Sequence, residues 1–145
     1  MRLDRLFRAL VIVASVSLLA SCSDSDSKSA ISKDEFLTKA NARCAEFNEA
    51  IAAAEAAAGP APTEEQVIEF INDVIVPGLG ATMDDIRGCG FPAGDEELLD
   101  GLMDETAVAL DALAEDPTSI FSGEDPFVSI NQRLGDYGLT VCADS

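Results

Sequence analysis

Apolar residues in the middle of the chain recur at intervals of three and four, the spacing of one face of an α-helix. The first such stretch begins at Ser32-Lys33-Asp34-Glu35, a capping box in which the Ser32 and Glu35 side chains can each accept from the other residue's amide. Gly59-Pro60 ends this stretch. Its predicted core face consists of Phe36, Ala40, Cys44, Phe47, Ile51, Ala54 and Ala58.

A second helix is predicted to begin at Thr63-Glu64-Glu65-Gln66, which is another capping box. Pro77-Gly78 interrupts it, because a proline ring lacks the amide donor and clashes with the carbonyl four residues earlier, here that of Asp73. We expect a kink, with a break into two shorter helices as the alternative. The segment ends at residues 88–92. Its core face consists of Val67, Ile71, Val74, Leu79, Met83 and Ile86.

Two further helices follow. Asp95 is a good N-cap for the third, which Asp116-Pro117 ends, and Asp125-Pro126 opens a shorter fourth, with Gly138 just past its end. The core positions are Leu99, Leu102, Thr106, Leu110 and Leu113 in the third helix, and Phe127, Ile130 and Leu134 in the fourth. No segment alternates strictly between apolar and polar residues, as a half-buried strand would. The sequence therefore predicts an all-α, antiparallel bundle of about four helices over residues 32–145.

The amino terminus has the layout of a secretory signal. Residues 1–8 carry three arginines, and the largely apolar run over residues 9–20 is shorter than the roughly twenty residues that a spanning helix needs. Its end, Leu19-Ala20-Ser21-Cys22, resembles the lipobox of bacterial lipoproteins. The resemblance implies cleavage before Cys22, a diacylglyceryl thioether on Cys22 and a further acyl chain on the new amino terminus. An uncleaved transmembrane anchor and an ordinary signal with a chance cysteine are the alternatives.

Such an anchor would hold the protein at the extracytoplasmic face of the cell membrane. Two chains of about fifteen methylenes, at ~0.8 kcal/mol each, make anchoring effectively permanent. Residues 22–31 are mainly Ser and Asp, which is typical of a flexible tether.

The bundle predicts one disulfide. With Cys22 assigned to the lipid, three pairings of the remaining cysteines are open. Cys44 lies about 21 Å below the upper end of the first helix, and the fourth helix descends about 18 Å from the same end, so that Cys142 reaches a similar height. Cys89 lies about 15 Å lower. We predict a Cys44–Cys142 disulfide, as the oxidising side of the membrane favours, with Cys89 as a free thiol.

Charge and composition argue against several classes of function. The formal net charge is −18, and residues 63–125 hold seventeen Asp or Glu against Arg87 as the single basic residue. Nucleic acid is therefore not an expected partner, because binding it requires clustered Lys and Arg. The sequence has no His, which removes His-dependent triads and the commonest transition-metal ligand.

Acidic residues could attract hard cations. Asp84-Asp85 and residues 95–97 flank the loop at Cys89, and an acidic stripe continues down the third helix. Calcium sites need six to eight converging oxygens, and no EF-hand spacing occurs, so a solvated acidic face is favoured over an ion site. The stripe consists of Asp100, Asp104, Asp111 and Glu115.

Cys89 is the remaining candidate for chemistry. It lies between two glycines beside Arg87, a setting that could expose a thiol with a lowered pKa for redox chemistry or dimerisation. An inert loop cysteine is favoured, because neither a resolving cysteine nor a base is near in sequence. No catalytic residue and no cofactor are predicted.

The whole domain is similar to a group of small secreted or lipid-anchored actinobacterial proteins of unassigned function. The shared features span residues 34–142 and include the proline-interrupted second helix. The shared phrases are Phe36-x-x-x-Ala40-Asn41-x-x-Cys44, Phe91-Pro92-x-Gly94-Asp95-Glu96, Asp125-Pro126-Phe127 and Tyr137-Gly138-Leu139-x-x-Cys142. The resemblance implies the fold and the location, and within its pattern Cys89 is an addition.

The leading functional hypothesis is a non-enzymatic, lipid-anchored module that binds an envelope protein or another envelope component. The alternative is a carrier of a small ligand or a divalent cation, and an enzyme is the least favoured class. The alanine-rich run over residues 52–58 would allow close approach of a helix, from this chain or from a partner. The sequence leaves the partner and the oligomeric state open.

Overall fold

The computed structural model describes residues 30–123 and 125–144. The predicted leader, Cys22 and most of the predicted tether lie outside these residues. Every regular element in the described part is helical, which confirms the all-α fold. The elements are α1 Lys33–Ala58, α2 Glu64–Phe70, a π-helical segment Ile71–Ile75, α3 Val76–Gly88, α4 Glu96–Glu115, a 3₁₀ turn Pro117–Ser122, α5 Val128–Tyr137 and α6 Thr140–Ala143.

The first helix begins and ends where the sequence predicts. The Ser32 hydroxyl oxygen accepts from the amide of Glu35 at 3.2 Å. The Glu35 carboxylate is paired with Lys39 at 3.0 Å one turn later, and the amide of Gly59 closes the last turn by donating to the Glu55 carbonyl. Only the Ser32 half of the predicted box is therefore formed.

The second helix is neither broken nor purely α-helical. Its capping box is complete, with Thr63 and Gln66 bonded in both directions, and the chain then stays helical to Gly88. The proline is accommodated by the π-helical segment, in which the Val76 amide donates to the Ile71 carbonyl five residues earlier. Because a π turn is wider than an α turn, it relieves the clash between the Pro77 ring and the carbonyl of Asp73.

The carboxyl-terminal helices differ from the prediction in detail. Asp95 precedes α4 as predicted, but its side chain makes no capping hydrogen bond. α5 begins at Val128, after the Asp125 carboxylate accepts from the Phe127 amide at 2.8 Å. Gly138, with φ of 114°, ends α5, and the chain then forms the short α6, which the sequence did not predict.

The core packs the lower half of α1, the half that begins at Lys33, against α3, α4, α5 and α6. All five predicted core positions of α4 are buried, and the largest fully buried side chains include Phe36 and Leu139. The predicted face of α1 is buried only as far as Phe47, whereas Ile51 and Ala54 are partly exposed and Ala58 is exposed. α1 has 26 residues, about 39 Å, whereas α5 has ten, about 15 Å, so α5 cannot cover the upper end of α1.

The carboxyl terminus is fastened to the middle of α1. The Asn41 side chain donates to the Gly138 carbonyl at 3.1 Å and accepts from the Val141 amide at 3.0 Å. The predicted disulfide between Cys44 and Cys142 is present, with the two Cα atoms 5.0 Å apart, and joins positions 98 residues apart. This covalent bond therefore holds the last helix against the first.

Candidate functional site

A cavity of about 180 Å³ lies between α1, the π-helical segment, α3, α4 and α5. It lies within the hydrophobic core, because Met83, Ile86 and Met103 belong both to the core and to the lining of the cavity. Its lining consists of Cys44, Phe47, Ile51, Ile75, Leu79, Thr82, Met83, Ile86, Met103, Thr106, Phe127, Ile130, Asn131, Leu134 and Cys142. The bundle thus encloses a space of its own.

The walls of the cavity are almost entirely apolar. Among the residues that line it, none carries a charge, and its two cysteines form the Cys44–Cys142 disulfide. The hydroxyls of Thr82 and Thr106 donate to the carbonyls of Gly78 at 2.9 Å and Leu102 at 2.8 Å, so their protons are already in use. The lining therefore supplies surface for binding and no group for acid–base or nucleophilic chemistry.

The cavity opens at its partly exposed residues. Ile51, Ile75, Leu79, Phe127 and Asn131 are partly exposed, whereas the other lining residues are buried. The only amide side chain at this opening belongs to Asn131, which forms no side-chain hydrogen bond to any of the described residues. An apolar interior with one polar side chain near its mouth is the usual composition of a small-molecule site.

The proline-interrupted helix shapes one wall. The π-helical segment supplies Ile75, and π turns inside α-helices occur frequently at functional sites. At Gly78, a Cβ atom would lie 2.6 Å from Cε2 of Phe47, so the glycine allows that ring to pack against α3. Pro77-Gly78, predicted only to kink or break the helix, thus also sets the position of a cavity-lining ring.

The prediction that Cys89 is a free thiol is wrong. No described cysteine is free, and Cys89 is disulfide-bonded. Cys89 is 5% exposed, and its sulfur lies 3.4 Å from the Asp85 carbonyl oxygen.

The acidic residues of α4 are exposed and do not converge. Arg87 contacts the carboxylates of Asp104 at 2.5 Å and Asp100 at 4.0 Å, while Arg133 from α5 pairs with Glu105. The hydrogen bond from Arg133 lowers the pKa of Glu105 below its ordinary value. No group of three or more potential metal ligands is found within residues 30–123 and 125–144.

A polar cluster at the lower end joins three helices. The Tyr137 hydroxyl donates to the Asp95 carboxylate at 2.7 Å, and the Lys33 ammonium lies 3.9 Å from the centre of the Tyr137 ring. Burial, followed by the Asp95 hydrogen bond, raises the pKa of Tyr137 well above its ordinary value of 10.0. The contacts of Tyr137 with Asp95 and Lys33 hold the ends of α1, α4 and α5 together, which is a structural role.

Comparisons with known proteins add no assignment. No family model, no curated protein and no solved structure matches the chain. Within the part that the structure describes, no helix combines the length and the hydropathy required to cross a bilayer. The cavity is therefore the feature of the fold from which function can be argued.

Proposed function

We propose that this protein is a lipid-anchored, non-enzymatic binding module at the outer face of the cell membrane, and that it binds a small apolar molecule in the cavity between α1, α3, α4 and α5. The cavity is the observation that carries the proposal. An engineered apolar cavity of about 150 Å³ in another protein stays dry and binds benzene, so a space of about 180 Å³ is large enough for one ring with small substituents.

The cavity is tested by filling it. Ile130 is 4% exposed and lines the cavity, whereas Val128, two residues earlier in α5, is 61% exposed and does not. Ile130→Trp is expected to occupy the space, and Val128→Trp adds the same ring outside it. Toluene at ten times its dissociation constant should stabilise the wild type and Val128→Trp by about 1.4 kcal/mol, a rise in melting temperature of about 4–8 °C.

Ile130→Trp should show no rise with toluene. An equal rise in all three proteins would place toluene outside the cavity and would contradict the proposal. If Ile130→Trp does not fold, the wild type is titrated with toluene while the methyl resonances of Ile75 and Met103 are followed. Chemical shifts of these methyls that saturate with toluene support binding in the cavity. Unshifted methyls contradict it.

The anchor rests on the Leu19-Ala20-Ser21-Cys22 motif and is tested separately. Cells fed an alkynyl fatty acid should label the wild type and the Ser23→Ala control but not Cys22→Ala, which should be released from the membrane. Equal labelling of the wild type and Cys22→Ala would remove the anchor from the proposal.

The chemistry of sulfur adds a second readout for the anchor. A thioether at Cys22 uses the atom that a disulfide to Cys22 would need, so the two modifications exclude each other in one molecule. A tryptic peptide that begins at Cys22 and carries the lipid mass would support anchoring. A disulfide-linked peptide pair containing Cys22 would contradict it.

An envelope protein is the second candidate partner, because apolar side chains are exposed at the upper end of the domain. Phe121 in the 3₁₀ turn is 52% exposed, and Ile120 beside it is 36% exposed. A photo-crosslinking amino acid at position 121 should capture one specific envelope protein, whereas the same group at Val108, an exposed position of α4, should not. Identical products from both positions would remove this candidate.

A further inference from the structure

We propose that the ligand of the cavity carries a single uncharged hydrogen-bonding group on an apolar body, as a phenol or a short-chain alcohol does, and that Asn131 recognises that group. This inference rests on the proposed small-molecule site and names its ligand class. Four features of the cavity carry it: the amide of Asn131, the hydroxyls of the two threonines, the lack of charge in the lining, and the volume.

Asn131 is the group available for recognition. It lies on α5 at the partly exposed opening and lines the cavity. Its amide offers two donors and an acceptor, and none of these is used within residues 30–123 and 125–144. A ligand that buried this amide without a hydrogen bond would lose the amide's interaction with water, which costs free energy. A ligand with a hydroxyl near the opening avoids that loss.

The threonines reinforce this placement. Thr82 and Thr106 already donate to the carbonyls one turn earlier in their own helices, so each retains only acceptor capacity toward the cavity. They can therefore not bind an acceptor group such as a ketone or an ether in the interior. A phenol or alcohol hydroxyl both donates and accepts. A threonine oxygen can accept its proton, but among the side chains that line the cavity only the Asn131 amide can also donate to it, which favours the opening as the place of the ligand's polar end.

The absence of charge selects a neutral ligand. None of the described residues that line the cavity is charged, and burying an unpaired ion in such a space is strongly unfavourable. The net charge of −18 also disfavours the approach of anions. Carboxylates, phosphates and ammonium groups are thus excluded from the cavity, although they could remain in solvent outside it.

The volume sets the size of the apolar body. A cavity of roughly 150 Å³ suffices for benzene, so a cavity of about 180 Å³ leaves room for small substituents on such a ring. p-Cresol and toluene both satisfy this limit and differ only by one hydroxyl, so they form a matched pair of probes. Comparing their affinities isolates the contribution of the hydrogen bond.

The test is a titration of the full chain with p-cresol and with toluene, followed by the methyl resonances of Ile75 and Met103. The wild type should bind p-cresol up to about tenfold more tightly than toluene, the factor that corresponds to one net hydrogen bond. Asn131→Leu should abolish this preference without weakening toluene. Gln132→Leu, at the exposed neighbouring position, should retain it.

The outcomes separate this inference from the function on which it rests. If toluene binds and the preference for p-cresol is absent, or survives unchanged in Asn131→Leu, the recognition by Asn131 is overturned and the apolar site stands. If neither probe shifts the methyls of the wild type, both proposals fall. Recovery of the preference in Asn131→Gln would support recognition by the amide rather than an effect of side-chain size.

Discussion

Gly78 and Gly80 lie two residues apart in α3, and replacing each of them by Ala is expected to change the stability of the protein in opposite directions. In Gly78→Ala, the new Cβ would lie 2.6 Å from Cε2 and 3.1 Å from Cδ2 of Phe47. The ring must therefore move by roughly 1 Å to restore an ordinary carbon–carbon contact. A Cβ at Gly80 would have no heavy atom within 4 Å outside its own helix backbone and chain neighbours, so Gly80→Ala is the matched control.

The magnitudes follow from two opposing terms. Replacing Gly by Ala within a helix contributes about 0.5–1 kcal/mol in both variants, because the unfolded chain loses conformational freedom. Overpacking at Phe47 costs about 1–3 kcal/mol in Gly78→Ala alone. We therefore expect Gly80→Ala to be stabilised by about 0.5–1 kcal/mol, and Gly78→Ala to be less stable than Gly80→Ala by about 1–3 kcal/mol.

Urea unfolding followed by far-UV circular dichroism measures both free energies of unfolding, with equal m-values as the sign that the unfolded states are comparable. Because Phe47 lines the cavity, a ring displaced into that space should also weaken toluene binding in Gly78→Ala and leave it unchanged in Gly80→Ala. Equal stabilisation of the two variants would refute the close packing of Phe47 on α3.

Three further predictions concern the contacts that fasten the ends of the domain. Replacing Cys44 and Cys142 together by Ala should lower the free energy of unfolding by about 4 kcal/mol, because the disulfide closes a loop of nearly a hundred residues. A loss below about 1 kcal/mol, measured by urea unfolding, would argue against stabilisation by loop closure. Tyr137 is the single tyrosine of the chain, and its pKa is raised in the folded state. Its contribution to the free energy of unfolding is therefore fully present below pH 10 and is lost above pH 10, by up to about 1.4 kcal/mol per pH unit. Absorbance of tyrosinate should appear in the native protein only above the ordinary pKa, and Tyr137→Phe should flatten the alkaline loss of stability; titration at the ordinary value would contradict the Asp95 contact. Asn41→Ala removes both hydrogen bonds to the carboxyl-terminal segment and should therefore speed amide hydrogen exchange in α6. Unchanged exchange would show that the disulfide alone holds this helix.

Local patterns allowed the helices and one disulfide to be predicted. The Thr63 capping box and the apolar face of α4 are properties of neighbouring residues, and each appears in the structure as expected. The Cys44–Cys142 bond followed from the fixed rise of a helix, which converts residue counts into heights. These features depend on distances along the chain, which a sequence contains.

The cavity and the tertiary contacts could not be predicted in the same way. The cavity lies where side chains from α1, the π-helical segment, α3, α4 and α5 meet, and its size depends on how these side chains pack. The π turn before Pro77 was one of several ways to relieve the same clash. Tyr137 was recognised as part of a motif, but its bond to Asp95 joins residues that are distant in sequence.

Native mass spectrometry of the full chain, released from its own membrane, tests the central claim most directly when the wild type is compared with Ile130→Trp. The account predicts a covalent lipid mass on both proteins and one small neutral molecule bound to the wild type alone. A wild type without lipid and without a bound molecule, or an Ile130→Trp protein that keeps the same molecule, would contradict it.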